Sequence, residues 1–279
     1  MFATNKLIAL TSQTGLKASI AVDSVAEYKI NKDSKSTDTI DVREAEISFF
    51  GPVDHRFDLN LSMAAHEEGG VHHFEVHEAA MSSNKLIRGL SIQAGQFFLG
   101  IGRLNRVHRH DWPFIKAPII NEKYFDSEGL LDSGFEVAYL VPSSFYLDLT
   151  VGVTNGWTYG HSHNKGKKPK TPTHYGRIGT FIDGGDAIGL ALGINYLGRT
   201  SSEGEKLQLF GVDGVAKGEI FGHKYLFQTE TWMRYLTPVH GEKEESIGAY
   251  VFPQIQVSRT AKIGTRFDYY KDLSLKSMA

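Results

Sequence analysis

The chain contains no cysteine, so neither a disulfide framework nor a thiolate metal site is open to it, and that suits a compartment where stray thiols would oxidise. It also lacks any stretch near 18 consecutive apolar residues, which excludes a transmembrane helix. A membrane is not thereby excluded, because a barrel strand needs only about 9–11 alternating residues. Charge of one sign is missing too. The 30 Lys+Arg stand against 32 Asp+Glu, a balance without the field that nucleic acid would require. Catalytic signatures are lacking: "HEEGG" and "HEAAM" fail the H-E-x-x-H spacing of a zinc protease, and no G-x-S-x-G marks a hydrolase nucleophile. The chain reads as no enzyme. Its opening, "MFATNKLIALTSQTG", has too short an apolar run for a signal peptide and is taken as the start of a mature chain.

What is abundant is glycine (29), phenylalanine (17), tyrosine (12) and histidine (12), the profile of a turn-rich all-β protein. Periodicity supports it. In "FYLDLTVGVTNGW", Phe145, Leu147, Leu149, Val151 and Val153 share one face, while Tyr146, Asp148, Thr150, Gly152 and Thr154 share the other. "FDLNLSMA" and "AIGLALGINYLG" split in the same way, whereas a helix would scatter these sets. Thirteen strands follow, near 15–29, 39–50, 57–65, 72–82, 90–99, 133–142, 145–155, 174–183, 187–198, 206–216, 223–236, 245–257 and 261–272. Their connections alternate between long and short, from "KINKDSKSTDTI" and "GPVDHR" to "TPVHGEKEE" and "SRTA". In an up-and-down meander this gathers most of the loop sequence at one end, the habit of outer-membrane barrels. A soluble β-sandwich, the alternative, has no reason to sort its loops so.

At "DVREAEISFFGPVDHRFDLNLSMA", "FEVHEAAM", "LSIQAGQFFLGIGRLN", "LLDSGFEVAYLVP" and "LDLTVGVTNG" the chain resembles the phosphate-selective porin O/P family. The features that carry this are Arg43, Gly95-Gln96-Phe97, Asp132-Ser133-Gly134 and Asn155-Gly156, within a similarity over roughly residues 15 to 272. The His-rich segments, with "HRHDWPF" and "GHSHN", look closer to a subgroup labelled zinc-regulated, TonB-dependent outer-membrane receptors. A TonB-dependent receptor needs an N-terminal plug and about twenty-two strands; this chain begins its meander within some fifteen residues. The resemblance implies a transmembrane barrel of about sixteen strands in the bacterial outer membrane. Thirteen visible strands leave either a single barrel domain, 1–279, lacking its last C-terminal strands, or a count that is off by one.

Two constellations carry chemistry. "HEEGGVHHFEVHE", residues 66–78, crowds four histidines and four glutamates into thirteen residues. With Phe74 and Val76 facing outward, His73, Glu75 and His77 face the lumen, and the hairpin brings His66 near His73. His66, His73, Glu75 and His77 could hold Zn²⁺, whose borderline character suits imidazole and carboxylate; the alternative is a polar pore rim. The second constellation is the very long loop between Gly100 and Asp132, which carries Arg103, Arg106, His108, Arg109, His110 and Lys116. In porin-like barrels such a loop folds inward, and the resemblance implies a constriction here; Glu44, Glu46, Arg266 and Asp268 are lumenal candidates for tuning selectivity with it. A salt-bridged cap outside the pore stands as the other reading. Glu136, Gln228, Glu230 and Arg234 are further lumenal candidates, and Tyr139, Tyr146, Tyr196, Trp232, Tyr235 and Tyr250 are candidates for aromatic girdles at the lipid face, the alternative being that some of them face inward.

The sequence thus points to a passive outer-membrane channel for small ions or hydrophilic solutes. The family leans toward anions such as phosphate, and the histidines toward divalent metals. The alternative is an outer-membrane receptor capturing zinc or a metal chelate. No resident cofactor is implied beyond transient Zn²⁺. The expected partners are the permeating solutes, membrane lipid and lipopolysaccharide, with a homotrimer raised by the resemblance and no nucleic acid.

Overall fold

The structure is a computed structural model that describes every residue except 1, 6–7, 12–14, 29–37, 69–70, 126–127, 157–166, 186–187 and 275–279; the side chains of 1–14 and 67–73 also lie outside the description. One antiparallel sheet accounts for almost all of it. In chain order its segments are β1 (Phe2–Asn5), β2 (Ile8–Thr11), β3 (Lys17–Glu27), β4 (Thr39–Pro52), β5 (Asp58–Glu68), β6 (Val71–Ile87) and β7 (Leu90–Phe98). After a long loop follow β8 (Leu131–Leu140), β9 (Tyr146–Thr154), β10 (Thr171–Asp183), β11 (Gly189–Thr200), β12 (Lys206–Ile220), β13 (His223–Thr237), β14 (Glu244–Gln256), β15 (Lys262–Gly264) and β16 (Phe267–Asp272). From β3 to β14 the strands pair in sequence order as an up-and-down meander. β1 and β2 both lie along β3, and β15 and β16 both lie along β14, so the segments fill fourteen positions. All thirteen expected strands are present, and β1 with β2 adds one ahead of them. No described pairing joins the first position to the last.

The sheet is inside out relative to a water-soluble protein. Its outward face is apolar, with Phe74 at 70% and Phe135 at 71% exposure and Val151, Val153, Ile178, Ile194 and Val212 alongside. Its inward face buries Asp23, Glu44, Glu46, His77, Arg177, Asn195, Asp213 and Glu230. Alternation is what separates these sets, so the pattern in the sequence becomes the pattern of the wall. A soluble sandwich would bury the Leu149 and Val151 face in a dry core; here that face is exposed. On the outer surface His174, Tyr196, Phe210 and Tyr235 form a continuous aromatic row across β10–β13, with ring centroids 5.1–6.0 Å apart.

The hydrophobic core sits inside the curve of the sheet. Residues 99–125, carrying the short helix α1 (Ile119–Tyr124), fold inward and pack Leu99, Ile101, Leu104, Trp112, Ile120 and Phe125 against Leu197, Leu209, Trp232, Tyr250 and Phe252 of the inner wall. Three girdle expectations are therefore corrected. Trp232 and Tyr250 are completely buried beneath the loop, because a loop docked in a lumen needs an apolar seat there. Tyr139, Tyr196 and Tyr235 do lie on the outward-facing set, whereas Tyr146 falls on the inward face of β9 with Asp148 and Thr150, because it shares their parity along the strand.

Candidate functional site

The inward loop is pinned by wall side chains that accept its backbone N–H groups. Gly100 N donates to Glu136 Oε2 (2.9 Å), Gly102 N to Asn195 Oδ1 (2.8 Å) and Leu104 N to Glu230 Oε1 (2.9 Å). Glu230 also accepts from Tyr250 Oη at 3.0 Å and Trp232 Nε1 at 3.2 Å. From the opposite side Arg43 donates to the Ile115 carbonyl, and Arg266 donates to the carbonyls of Lys116 and Ala117 while stacking on Phe114 at 4.5 Å. Buried amides and carbonyls need such partners, so these residues fix the loop's position within the lumen. A cap lying outside the pore would make none of these contacts. Glu136, Glu230 and Arg266 hold the loop; Asp268 accepts from Arg266 Nε at 2.9 Å, and Lys116 is mostly exposed, 3.3 Å from Glu27.

Two faces of the loop then meet two chemically different halves of the wall. Arg103 and Arg106 face a cavity of about 730 Å³ also lined by Asp148, Arg177, Asp213 and Lys217, near the short-turn end of β8–β12. Arg177 Nη2 donates to Asp213 Oδ1 at 2.9 Å and Arg177 Nη1 lies 3.6 Å from Asp148 Oδ2, so that guanidinium is internally balanced. Arg103 and Arg106 form no ion pair among the described residues.

The other face meets β4–β6 in a histidine–glutamate cluster. His66 Nε2 lies 3.0 Å from Glu75 Oε1, and His77 Nε2 lies 3.6 Å from the same oxygen. His77 Nδ1 is 3.4 Å from Glu46 Oε2. The loop's His108 bridges Glu46 (2.8 Å) and Glu78 (2.8 Å), and His110 Nδ1 lies 3.5 Å from Glu44 Oε1. Arg109 pairs with Glu128 at 3.2 Å. Burial pushes the His108 imidazolium down, but hydrogen bonds and charge from Glu46 and Glu78 outweigh it and carry its pKa up to about 10. Burial likewise opposes the charged form of His110, and Glu44 and Glu46 outweigh it upward. The loop is thus electrostatically latched to the wall.

Of the expected metal set, His66, Glu75 and His77 come together. His73 pairs in register with His66 along the backbone, and its side chain lies outside the described residues. His161 and His163, the histidines of "GHSHN", lie outside them as well. Sequence reasoning treated the metal set and the loop histidines as separate sites; the structure joins them through Glu46 and His77. It also missed Glu78. Strict alternation sends Glu78 outward, but a β-bulge at His77 leaves that residue without a partner on β5, so His77 and Glu78 are both buried on the inward side. A second bulge at Arg43 does the same for Arg43 and Glu44.

Comparison with solved structures finds an anion-selective porin from Comamonas acidovorans, 9% identical, with a TM-score of 0.55 over 98% of this chain and 80% of that one. The fold is that of outer-membrane channels. The outer-membrane channel DcaP of Acinetobacter baumannii superposes with a TM-score of 0.55 at 12% identity, covering 94% and 81% of the two chains. OmpT, an outer-membrane protein of Vibrio cholerae, does so at 0.50 and 10% identity, covering 95% and 89%. No family model matches. An uncharacterized protein of Aquifex aeolicus (strain VF5) is 34% identical over 209 residues, 67% of this chain. The chain spans 43% of that relative's length.

Proposed function

We propose that the chain forms a porin-like channel in a bacterial outer membrane, through which small hydrophilic solutes diffuse passively past the inward loop, with a preference for anions. The observation that carries this reading is the pairing of an apolar outer wall with a polar lumen in which Arg103 and Arg106 face a cavity of about 730 Å³. Guanidinium groups at a constriction lower the barrier for phosphate-like anions and raise it for cations. The Arg177 charge adds little, because Asp213 and Asp148 offset it. The anion-selective porin among the structural neighbours supports the same direction. Capture of zinc at an open mouth is less favoured, since His66 and His77 are buried against Glu75 and Glu46 and do not line an open vestibule.

The test is the reversal potential across a planar bilayer holding the full chain in a KCl gradient. Wild type should give the sign of a chloride-preferring channel, and Arg103→Glu/Arg106→Glu should move it toward cations. A reversal potential indifferent to that double change would remove Arg103 and Arg106 from the permeation path.

A further inference from the structure

The cluster between loop and wall has more carboxylates than a simple latch needs. Glu44 and Glu46 lie on the inward face of β4 at 4% and 5% exposure, with Glu75 and Glu78 opposite them on β6. Buried carboxylates require compensating positive charge. The groups within ion-pair distance of these four are all imidazoles among the described residues: His66, His77, His108 and His110. This combination of imidazole nitrogen and carboxylate oxygen is the donor set of a borderline divalent ion.

From this geometry we infer a divalent-cation site, of zinc type, formed by Glu46 of β4, His77 of β6 and His108 of the inward loop. The three offer one donor atom each within 4.8 Å of one another. Donors on a tetrahedral ion with bonds of about 2.0–2.2 Å stand roughly 3.3–3.6 Å apart. The His77 Nδ1–Glu46 Oε2 separation of 3.4 Å falls in that range. The ion takes the place of the proton on His108 Nδ1, which is released to solvent, and the His108 Nδ1–Glu46 Oε2 contact of 2.8 Å opens by roughly half an ångström or more to admit it. His108 is partly exposed, so solvent reaches the seam. Two further triads, His66–Glu75–His77 and Glu44–Glu46–His110, adjoin the site and share its ligands. The seam triad is the one among them that joins an imidazole of each β6 and the loop to one carboxylate. Its ion ties the loop to the barrel wall, a role beyond the permeation path at Arg103 and Arg106.

The test is equilibrium dialysis of the full chain, folded in detergent and stripped with EDTA, against micromolar Zn²⁺, with metal counted per chain. Folding is checked independently by heat-modifiable mobility. Wild type should retain zinc, His108→Ala should weaken retention by roughly tenfold or more, and His66→Ala should keep it. If His108→Ala does not fold, Glu46→Gln carries the same expectation. Wild type that retains no zinc overturns the site. So does a folded His108→Ala variant that binds as wild type, or loss in His66→Ala with retention in His108→Ala, which would put the ion in the wall triad. None of these outcomes depends on conductance, so the channel reading stands or falls separately.

Discussion

At residue scale, a few positions decide where the loop sits. Gly102 has φ +61°, and a Cβ there would lie 2.6 Å from Glu230 Oε2 and 3.1 Å from Trp232. A β-branched residue meets both the left-handed backbone penalty and that clash. Gly102→Val should therefore release the loop while the barrel still folds, seen as faster tryptic cleavage after Arg103, Arg106 and Arg109 with heat-modifiable mobility retained. Unchanged protease resistance would show that Gly102 does not govern docking. The residues of the histidine–glutamate cluster were legible in the sequence as types, and His66, Glu75 and His77 as a group. Glu78 was not, because period-two reasoning assumes an unbroken ladder and a bulge shifts every later residue by one face. The union with His108 and Glu46 was hidden for another reason: those residues are brought together by the path of a loop, which carries no periodicity of its own.

At the scale of elements, the strands were readable because each must present lipid-compatible side chains on one face and polar or small ones on the other. The seat for the loop was not. Leu197 and Leu209 lie on the lumenal sets of β11 and β12, and Trp232 and Tyr250 on those of β13 and β14, yet an aromatic side chain in a barrel strand reads by default as outward. What gives it away is the loop's own content, Leu99, Ile101, Leu104, Trp112 and Ile120, which needs an apolar surface to cover. Replacing residues 101–129 by a short Gly/Ser turn should raise single-channel conductance and lower heat stability together, since the Trp232 and Tyr250 seat loses its cover. A truncated barrel with unaltered conductance would mean that the loop does not narrow the path.

At the scale of the whole molecule, the division of labour runs across the lumen. One side of the loop is held by apolar packing and by the carboxylate and amide side chains of Glu136, Asn195 and Glu230; the other is latched by imidazole–carboxylate contacts to β4–β6. Between them Arg103 and Arg106 are presented to the cavity. The apolar outer wall is the surface a bilayer would cover, on a fold shared with outer-membrane channels. The measurement that bears most directly on this account is single-channel recording of the full chain reconstituted in a planar lipid bilayer. The account predicts discrete current steps that are proportional to voltage and persist without any added ligand or energy source. Bilayers that stay electrically silent while holding folded, heat-modifiable protein would contradict it.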